Sequence, residues 1–235
     1  MNDRCTLLAP ADAIEAPATG FQMCWGASMG RLGFLRGRCA FLGAVLVLGV
    51  AAGCASTPAA RFHTLLPVQR PAPEAGAGEN AGPAFRIERV RVPAAVDQPQ
   101  WLVRLDDGSL ALLEQERWAS PLPDEIAQAL REVLRLRYGL PEAGPGERTP
   151  AWRVRIDVSR FETLPGEARL EAVWSLVPGQ AGMPPLVCSS WFQEPATGGM
   201  AGLAEAHRRN VGRLGAVIGA QLQALHRRGS GECPA

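Results

Sequence analysis

The chain of 235 residues has a formal net charge of +1 at pH 7, and each of its 24 basic residues is an arginine. Residues 1–53 hold four arginines and three acids, so the remaining chain, with 20 basic and 20 acidic residues, is formally neutral. A neutral chain has no electrostatic basis for binding nucleic acid or an anionic bilayer. The remainder is long enough for one domain with a hydrophobic core.

A lipoprotein signal peptide is predicted over residues 29–53. Three arginines precede an uncharged apolar stretch at 39–53. The stretch is shorter than the about 20 residues that span a bilayer, but it fits the roughly 7–15-residue apolar region of a secretory signal. Small residues then lead to Cys54, the residue that takes the lipid in bacterial lipoproteins. Cleavage at an ordinary A-x-A-like site is the alternative, but it gives Cys54 no role.

Residues 1–28 do not fit such a signal, because they contain acids, which are out of place in its basic N-terminal region. We therefore expect Met29, or Met23, to be the true start and residues 1–28 to be a misassigned extension. Residues 54–235 are then the mature protein. Ala55 stands where an aspartate would retain a lipoprotein at the inner membrane, which favours the periplasmic face of the outer membrane.

The spacing of apolar residues predicts strands, a helix, further strands and a last helix. Strands are expected near 61–67, 85–92, 101–105, 110–118, 152–159, 168–176 and 186–192, and helices at 121–138 and 200–228. Ser120 is predicted to cap the first helix, Asp106 to Ser109 to close a hairpin, and a bulge to lie near Arg89. The fold class is therefore α+β, a two-layer domain with two helices on one face of a mostly antiparallel sheet.

Two segments are predicted to lack regular structure. The Pro/Gly-rich stretch 70–83 is expected to be a flexible loop that, with the residues after Cys54, gives the domain reach. Residues 229–235 are expected to form a loose tail. Because the periplasm permits disulfides, Cys188 and Cys233 are either bridged or a buried thiol and a free thiol.

The sequence indicates no catalytic, metal-binding or cofactor-binding residues. It contains no nucleophile elbow, no metal-binding histidine pair, no phosphate-binding glycine loop and no C-x-x-C motif. The three histidines are expected at the surface or at an interface. We therefore expect a protein that is not an enzyme and needs no cofactor.

Tryptophans and glycines give two packing predictions. An indole brings a large apolar area, so five tryptophans on or beside strands are expected mainly as core anchors. They are Trp101, Trp118, Trp152, Trp174 and Trp191. The alternative for some of them is a lipid-accepting surface or an interface. A small-residue face on the last helix is expected to allow close approach to the sheet. It consists of Gly212, Gly215 and Gly219.

Several segments, in their order and spacing, resemble the PqiC (paraquat-inducible protein C) family of ABC-type transport auxiliary lipoproteins. They are Phe62–Leu65, Ile87–Pro93, Asp97–Arg104, Glu116–Leu122, Val154–Phe161 and Leu170–Trp174. The resemblance covers essentially the whole mature chain. It departs from the family in two places, where Phe62-His63 replaces an aromatic pair and Gln98 replaces the arginine of an Asp-Arg-Pro-Gln motif.

The resemblance implies a non-enzymatic lipoprotein that docks a periplasm-spanning MCE-domain protein at the outer membrane. An ABC permease and ATPase would power this lipid transport system, which supports membrane integrity. The resemblance also implies acyl chains such as palmitate on Cys54, and it is compatible with a ring of identical subunits. On this basis we expect partner contacts at Asp97, Gln98, Gln100 and Trp101. The alternatives are an assembly factor for an outer-membrane protein or lipopolysaccharide exporter, and a periplasmic hydrolase, which the missing nucleophile disfavours.

Overall fold

The computed structural model describes residues 58–67, 82–144, 146–147, 150–180 and 182–234. Cys54, the signal region and positions 70–81 of the predicted loop lie outside the described residues. The strands and helices are, in chain order, β1 Arg61–His63, β2 Phe85–Arg91, β3 Gln100–Arg104, β4 Leu110–Trp118, α1 Leu122–Glu132 with a π-helical turn Val133–Arg137, β5 Trp152–Leu164, β6 Glu167–Val177, β7 Leu186–Pro195 and α2 Gly199–Arg228.

Within the described residues, the strands form one open seven-stranded sheet in the order β1-β4-β3-β5-β6-β7, and β2 pairs with β5. The β3–β4, β5–β6 and β6–β7 pairs are antiparallel. The β1–β4, β2–β5 and β3–β5 pairs are parallel. The sheet is therefore mixed, and it is more parallel than the sequence predicts. Long connections join the parallel partners, so hairpin signals in the sequence cannot reveal their direction.

Both helices pack on one face of the sheet, which confirms the predicted α+β fold. Side chains of β5 and β6 alternate between this buried face and a more exposed face without helices, which we call the helix-free face. Each fully buried side chain of this kind stabilises the fold by roughly 1.5–3 kcal/mol. The centre of the core contains Val154, Ile156, Leu170, Trp174, Leu214 and Ile218.

Two local predictions from the sequence, a β-bulge and a hairpin loop, are confirmed. The register of β2 against β5 shifts between Ile87 and Arg89, where the bulge was expected. Arg104 pairs with Leu110 across β3 and β4, so the four residues predicted as a turn lie in the loop of this hairpin. Gly108 in that loop has a φ of 84°, a backbone conformation that glycine adopts without strain.

The start of α1 differs from the prediction. Pro121 occupies the N-cap, and no side chain makes a capping hydrogen bond. Ser120 Oγ instead donates to Glu125 Oε1 over 2.9 Å. The predicted single helix to residue 138 also changes its hydrogen-bond pattern after Glu132, where the π-helical turn begins.

The small-residue face of α2 approaches the first helix, and the predicted approach to the sheet is wrong. A Cβ on Gly215 would lie 2.9 Å from Val133 Cγ1, and a Cβ on Gly219 would lie 2.5 Å from the Tyr138 ring. Gly212 has no such neighbour within 4 Å. Gly215 and Gly219 therefore set the separation between α2 and the π-helical turn, because any larger residue would force the two apart.

One of the five tryptophans is not a core anchor. Trp191 is 57% exposed on the helix-free face of β7. It alternates there with Phe192, which is buried against the helices. Its side chain is exposed because it points to the face of β7 on which no helix packs. The prediction that the tryptophans are mainly core anchors is confirmed. The other four are buried, namely Trp101, Trp118, Trp152 and Trp174.

The C-terminal segment returns to β7 after α2. Gly229 ends the helix with a φ of 69°. The sulfurs of Cys188 and Cys233 then lie 2.02 Å apart, as a disulfide between β7 and the tail. In this arrangement the tail is attached to the edge strand of the sheet.

Candidate functional site

β1 is the first described strand after Cys54, and a buried carboxylate holds it in place. Arg61 and His63 both contact Glu116 of β4, which is 4% exposed. His63 Nε2 lies 2.6 Å from Glu116 Oε2. β1 runs parallel to β4, with Arg61 opposite Glu116 and His63 opposite Trp118. The short strand is thus fixed by side chains as well as by its backbone.

A second buried carboxylate, on Glu125 of α1, holds the residues that follow β1. Glu125 Oε2 accepts hydrogen bonds from Thr64 Oγ1 and Leu65 N, both over 2.7 Å. Arg208 Nη1 of α2 donates to Thr64 O over 3.2 Å. A buried carboxylate is stable only while such donors remain, so these contacts oppose release of the segment. We call this group the anchor latch; it comprises Arg61 to Leu65 with Glu116, Glu125 and Arg208.

The anchor latch shortens the tether that the sequence predicts. Only residues 55–60 lie between Cys54 and β1, and seven residue steps span at most about 25 Å. The 70–83 segment follows β1 and precedes β2, so it connects two strands of one sheet. The expectation that it adds reach between lipid and domain is therefore wrong.

Aromatic rings fill the interior beside the anchor latch. The ring centroids of Trp101 and Trp118 are 4.4 Å apart in a stacked arrangement. His63 lies 4.7 Å from Trp101, and His207 meets the edges of both indoles. This packing links β1 to β3, β4 and α2 through one rigid cluster.

His207 is fully buried in the aromatic cluster, so the expected surface position is wrong. The Phe161 ring stacks on it at 4.2 Å, and its Nε2 lies 2.9 Å from Thr163 Oγ1. Burial lowers the pKa of His207 from 6.5 to about 3, because desolvation disfavours the imidazolium. The ring is neutral at physiological pH and contributes packing to the domain.

The described residues show neither a metal cluster nor a membrane-spanning helix. No group of three His, Cys, Asp or Glu side chains among them could hold a metal ion. None of their helices is both long and apolar enough to cross a bilayer.

The loop before β3 and the first residue of β3 bring together three of the four predicted partner contacts. Asp97 is exposed, and Gln98 and Gln100 are half-buried. Gln98 Nε2 donates to Ala95 O over 3.0 Å, and Gln100 Nε2 donates to Glu114 Oε2 over 3.3 Å. Trp101 is only 1% exposed, so it supports the loop from below and cannot contact a partner as predicted.

A shallow groove of about 220 Å³ lies beside this loop on the helix-free face. Val96 and Leu102 give it apolar walls, and Arg104 with Glu162 gives it a charged side. Arg104 Nε donates to Glu162 Oε1 over 3.1 Å. An exposed pair of this kind adds at most about 1 kcal/mol to stability, so its main effect here is to keep the face polar.

The sequence matches one family model from the anchor latch to α2. Residues 63–219 match the ABC-type transport auxiliary lipoprotein component. The chain belongs to this family. The resemblance drawn from the sequence motifs is thereby confirmed, and the family is described as a component of transport systems. No curated protein matches the chain.

Two solved structures share the fold. A crystal structure of an uncharacterized protein is 15% identical, with a TM-score of 0.56 over 70% of this chain and 99% of that chain. Protein XCC0632 from Xanthomonas campestris, of the DUF330 family, is 17% identical, with a TM-score of 0.53 over 69% of this chain and 95% of that chain. At these sequence identities, the structural similarity shows only that the chains share a fold. It gives no information about the partners of this chain.

Sequence reasoning missed the two carboxylates of the anchor latch. Glu116 has the same strand parity as Trp118, which places both side chains on one face of β4. Glu125 lies at helical spacing from the buried residues Leu122 and Ala129. Both patterns are in the sequence. A glutamate is rarely buried, however, so its burial can be inferred only once its hydrogen-bond partners are known.

Proposed function

We propose that the protein is anchored through lipidated Cys54 at the periplasmic face of the outer membrane. There it docks a periplasm-spanning MCE-domain protein of an ABC-type lipid transport system and so supports membrane integrity. The observation that carries this proposal is that the family match begins at His63, nine residues after a cysteine that ends a signal-like apolar stretch. Several acyl chains on one cysteine hold a protein far more firmly than a single chain.

The anchor latch suits a protein that carries load between a lipid and a partner. Any pull along the tether reaches the domain at Arg61, where Glu116 and the β4 backbone resist it. Beyond β1 the same force acts on the hydrogen bonds of Thr64 with Glu125 of α1 and with Arg208 of α2. The segment that follows the tether is therefore held by the sheet and by both helices.

The proposed docking surface for the MCE-domain protein combines the exposed loop before β3 with neighbouring residues of β1 and β3. Phe62, which is 65% exposed, pairs with Arg117, and Gln100 pairs with Arg117 from the other side. Strands are spaced about 4.8 Å apart, so Phe62 and Gln100 lie roughly 10 Å from each other. An exposed aromatic ring among polar groups is typical of a recognition surface. The docking surface is Phe62, Asp97, Gln98 and Gln100.

Co-purification of the lipidated chain in mild detergent tests this function. The wild-type chain should recover an MCE-domain protein, and the double variant Asp97→Arg with Gln98→Arg should recover much less, because charge is reversed on the docking surface. Gln128→Arg is the matched control, since it adds an arginine to the exposed side of α1, away from the docking surface. Equal recovery of the MCE-domain protein by both variants would show that these residues are not the docking surface, and it would leave the proposed function uncontradicted.

The same experiment separates the second candidate function. Recovery of an outer-membrane barrel or a lipopolysaccharide export complex without any MCE-domain protein would identify an assembly factor and overturn the transport role. Membrane fractionation of Cys54→Ala tests the anchor. This variant should leave the outer-membrane fraction, and its retention there would contradict lipid anchoring.

A ring of identical subunits is part of the proposal. Val173, Val187 and Trp191 are exposed together at the β7 end of the helix-free face, where β6 and β7 pair. Apolar side chains gathered in this way favour burial against another protein surface. Light scattering of the detergent-solubilised chain should give the mass of an oligomer. A monomer at all concentrations would exclude the ring.

A further inference from the structure

Three exposed leucines cluster at the free end of the β3–β4 hairpin, and the proposed docking does not use them. Leu105 is 40% exposed, Leu110 51% and Leu112 44%. They account for three of the eight exposed large apolar side chains among the described residues, and they fall within one short stretch of chain. A cluster of this kind indicates a contact surface, whereas scattered single residues would not. We call these three residues the leucine tip.

The direction of β1 points the tether toward the leucine tip. β1 runs parallel to β4 with Arg61 opposite Glu116, so the chain before Arg61 leaves toward the end of the sheet where Leu110 begins β4. Six residue steps separate Glu116 from Leu110, about 20 Å at the rise of a strand. The tether from Arg61 to Cys54 reaches at most about 25 Å. Tether and hairpin thus have matched lengths.

The charges of the hairpin define which lipid surface fits it. Asp106 and Asp107 lie at its apex, and Ser109 donates to the Asp107 carboxylate through Oγ over 2.6 Å and through N over 2.9 Å. These hydrogen bonds lower the pKa of Asp107, so it stays ionised. Ionised carboxylates avoid hydrocarbon and are repelled by anionic lipid, but they can pair with the ammonium of a zwitterionic headgroup.

We propose that the leucine tip is a second membrane contact, which rests in the headgroup region of a zwitterionic lipid surface beside the lipid anchor. This inference rests on the proposed lipidation of Cys54. The leucine side chains extend toward the boundary between headgroups and acyl chains, and the apex carboxylates pair with headgroup ammonium groups at the same depth. The contact fixes how the domain stands on the membrane, which a tether alone does not do.

This orientation keeps the docking surface available. Leu110 begins β4, whereas Arg117, beside Phe62 and Gln100, lies near its other end. Seven residue steps separate the two positions, roughly 23 Å along an extended strand. With the leucine tip on the membrane, the part of the docking surface that contains Phe62 and Gln100 therefore projects into the periplasm.

A fluorescent label on the leucine tip tests the contact in the lipidated chain. The variant Leu112→Cys is labelled with an environment-sensitive dye and reconstituted into vesicles of phosphatidylethanolamine and phosphatidylcholine. Its emission should shift to the blue and be quenched by nitroxide-bearing lipids. Adding phosphatidylglycerol should weaken both effects, because the apex aspartates are repelled. Met183→Cys is the control, since Met183 is 39% exposed in the β6–β7 loop, at the end of the sheet away from the leucine tip.

The outcomes of this experiment test the lipid anchor on Cys54 and the membrane contact of the leucine tip separately. A quenched label at position 112 and an unquenched label at position 183 support the membrane contact. Intact acylation by mass spectrometry with neither label quenched overturns the contact and leaves the anchor standing. A spectral change at position 112 that follows the protein density in the vesicle, without lipid quenching, assigns the tip to contacts between copies and also overturns it. A mass without acyl chains overturns the proposed anchor and this inference together.

Discussion

The two edges of the sheet are held in different ways. β1 contributes three residues at one edge and depends on the buried carboxylates of Glu116 and Glu125. β7 pairs with β6 over ten residues at the other edge, packs against α2 and is bonded to Cys233. The first edge depends on a few charged contacts, and the second distributes its stability over many apolar ones. The edge next to the tether is thus the one that a single substitution can release.

The largest effect is expected at the β7 edge, from removal of its covalent link. Cys188→Ala with Cys233→Ala should lower the free energy of unfolding by about 4 kcal/mol, because the bridge restricts a long loop in the unfolded chain. The sequence separation of the two cysteines is 45 residues. Urea denaturation measures the loss, and the wild-type chain under reducing conditions is the control. Two free thiols in unreduced, denatured wild-type protein would show that no bridge forms.

A single substitution should release the β1 edge. Glu125→Ala leaves the donors on Thr64, Leu65 and Ser120 without their acceptor, and we expect a loss of about 3 kcal/mol. Hydrogen exchange should show faster exchange at Leu65 N than in β5. Asp124→Ala is the control, because that neighbouring acid is exposed in the same helical turn. Equal protection of Leu65 N in both variants would mean that the latch does not depend on Glu125.

Acid should weaken the cluster behind the β1 edge. His207 binds a proton below pH 6.5 in the unfolded chain but only below about 3 in the folded chain. The contribution of neutral His207 to the free energy of unfolding is therefore complete above pH 6.5. It is lost as the pH falls from 6.5 to about 3, by about 1.4 kcal/mol for each pH unit. His207→Gln should have a correspondingly flatter pH profile in urea denaturation. His226→Gln, at an exposed site, should keep the wild-type slope. A wild-type slope in His207→Gln would mean that other groups cause the acid sensitivity.

The smallest effect is expected at the exposed ring of β1. Phe62→Ser should change the free energy of unfolding by less than about 0.5 kcal/mol, because the ring is 65% exposed and outside the core. Leu65→Ala, three residues on, removes a side chain that is 1% exposed and should cost about 3 kcal/mol. A large loss of stability in Phe62→Ser would show that this ring supports the fold and would weaken its place on the docking surface.

The sequence predicts the elements of this fold better than their pairing. Alternation located β5 and β6, because each side chain reports locally on the face it occupies. The parallel pairing of β1 with β4 joins residues 55 positions apart, and no turn motif encodes that choice. Trp191 differs from the other four tryptophans because alternation along β7 does not show which of its two faces the helices cover.

The candidate site was predicted only in part. Asp97, Gln98 and Gln100 came from the family resemblance, and they do lie on one surface loop. Trp101 belongs to the same motif, but strand parity turns it inward toward Trp118. The anchor latch could not be foreseen, because Glu125 is stable in the core only through three donors, of which Thr64 and Leu65 are about 60 residues away along the chain.

The parallel attachment of β1 also sets an order of events during export. A chain that emerges N-terminus first presents Arg61 long before Glu116 and Glu125, and Arg208 follows Thr64 only after a further 144 residues. In the export that we propose for this chain, the last contact of the anchor latch therefore forms only when almost the whole domain has crossed the inner membrane. The proposed modification of Cys54 can take place during this interval. The fold closes over the neighbouring residues only afterwards.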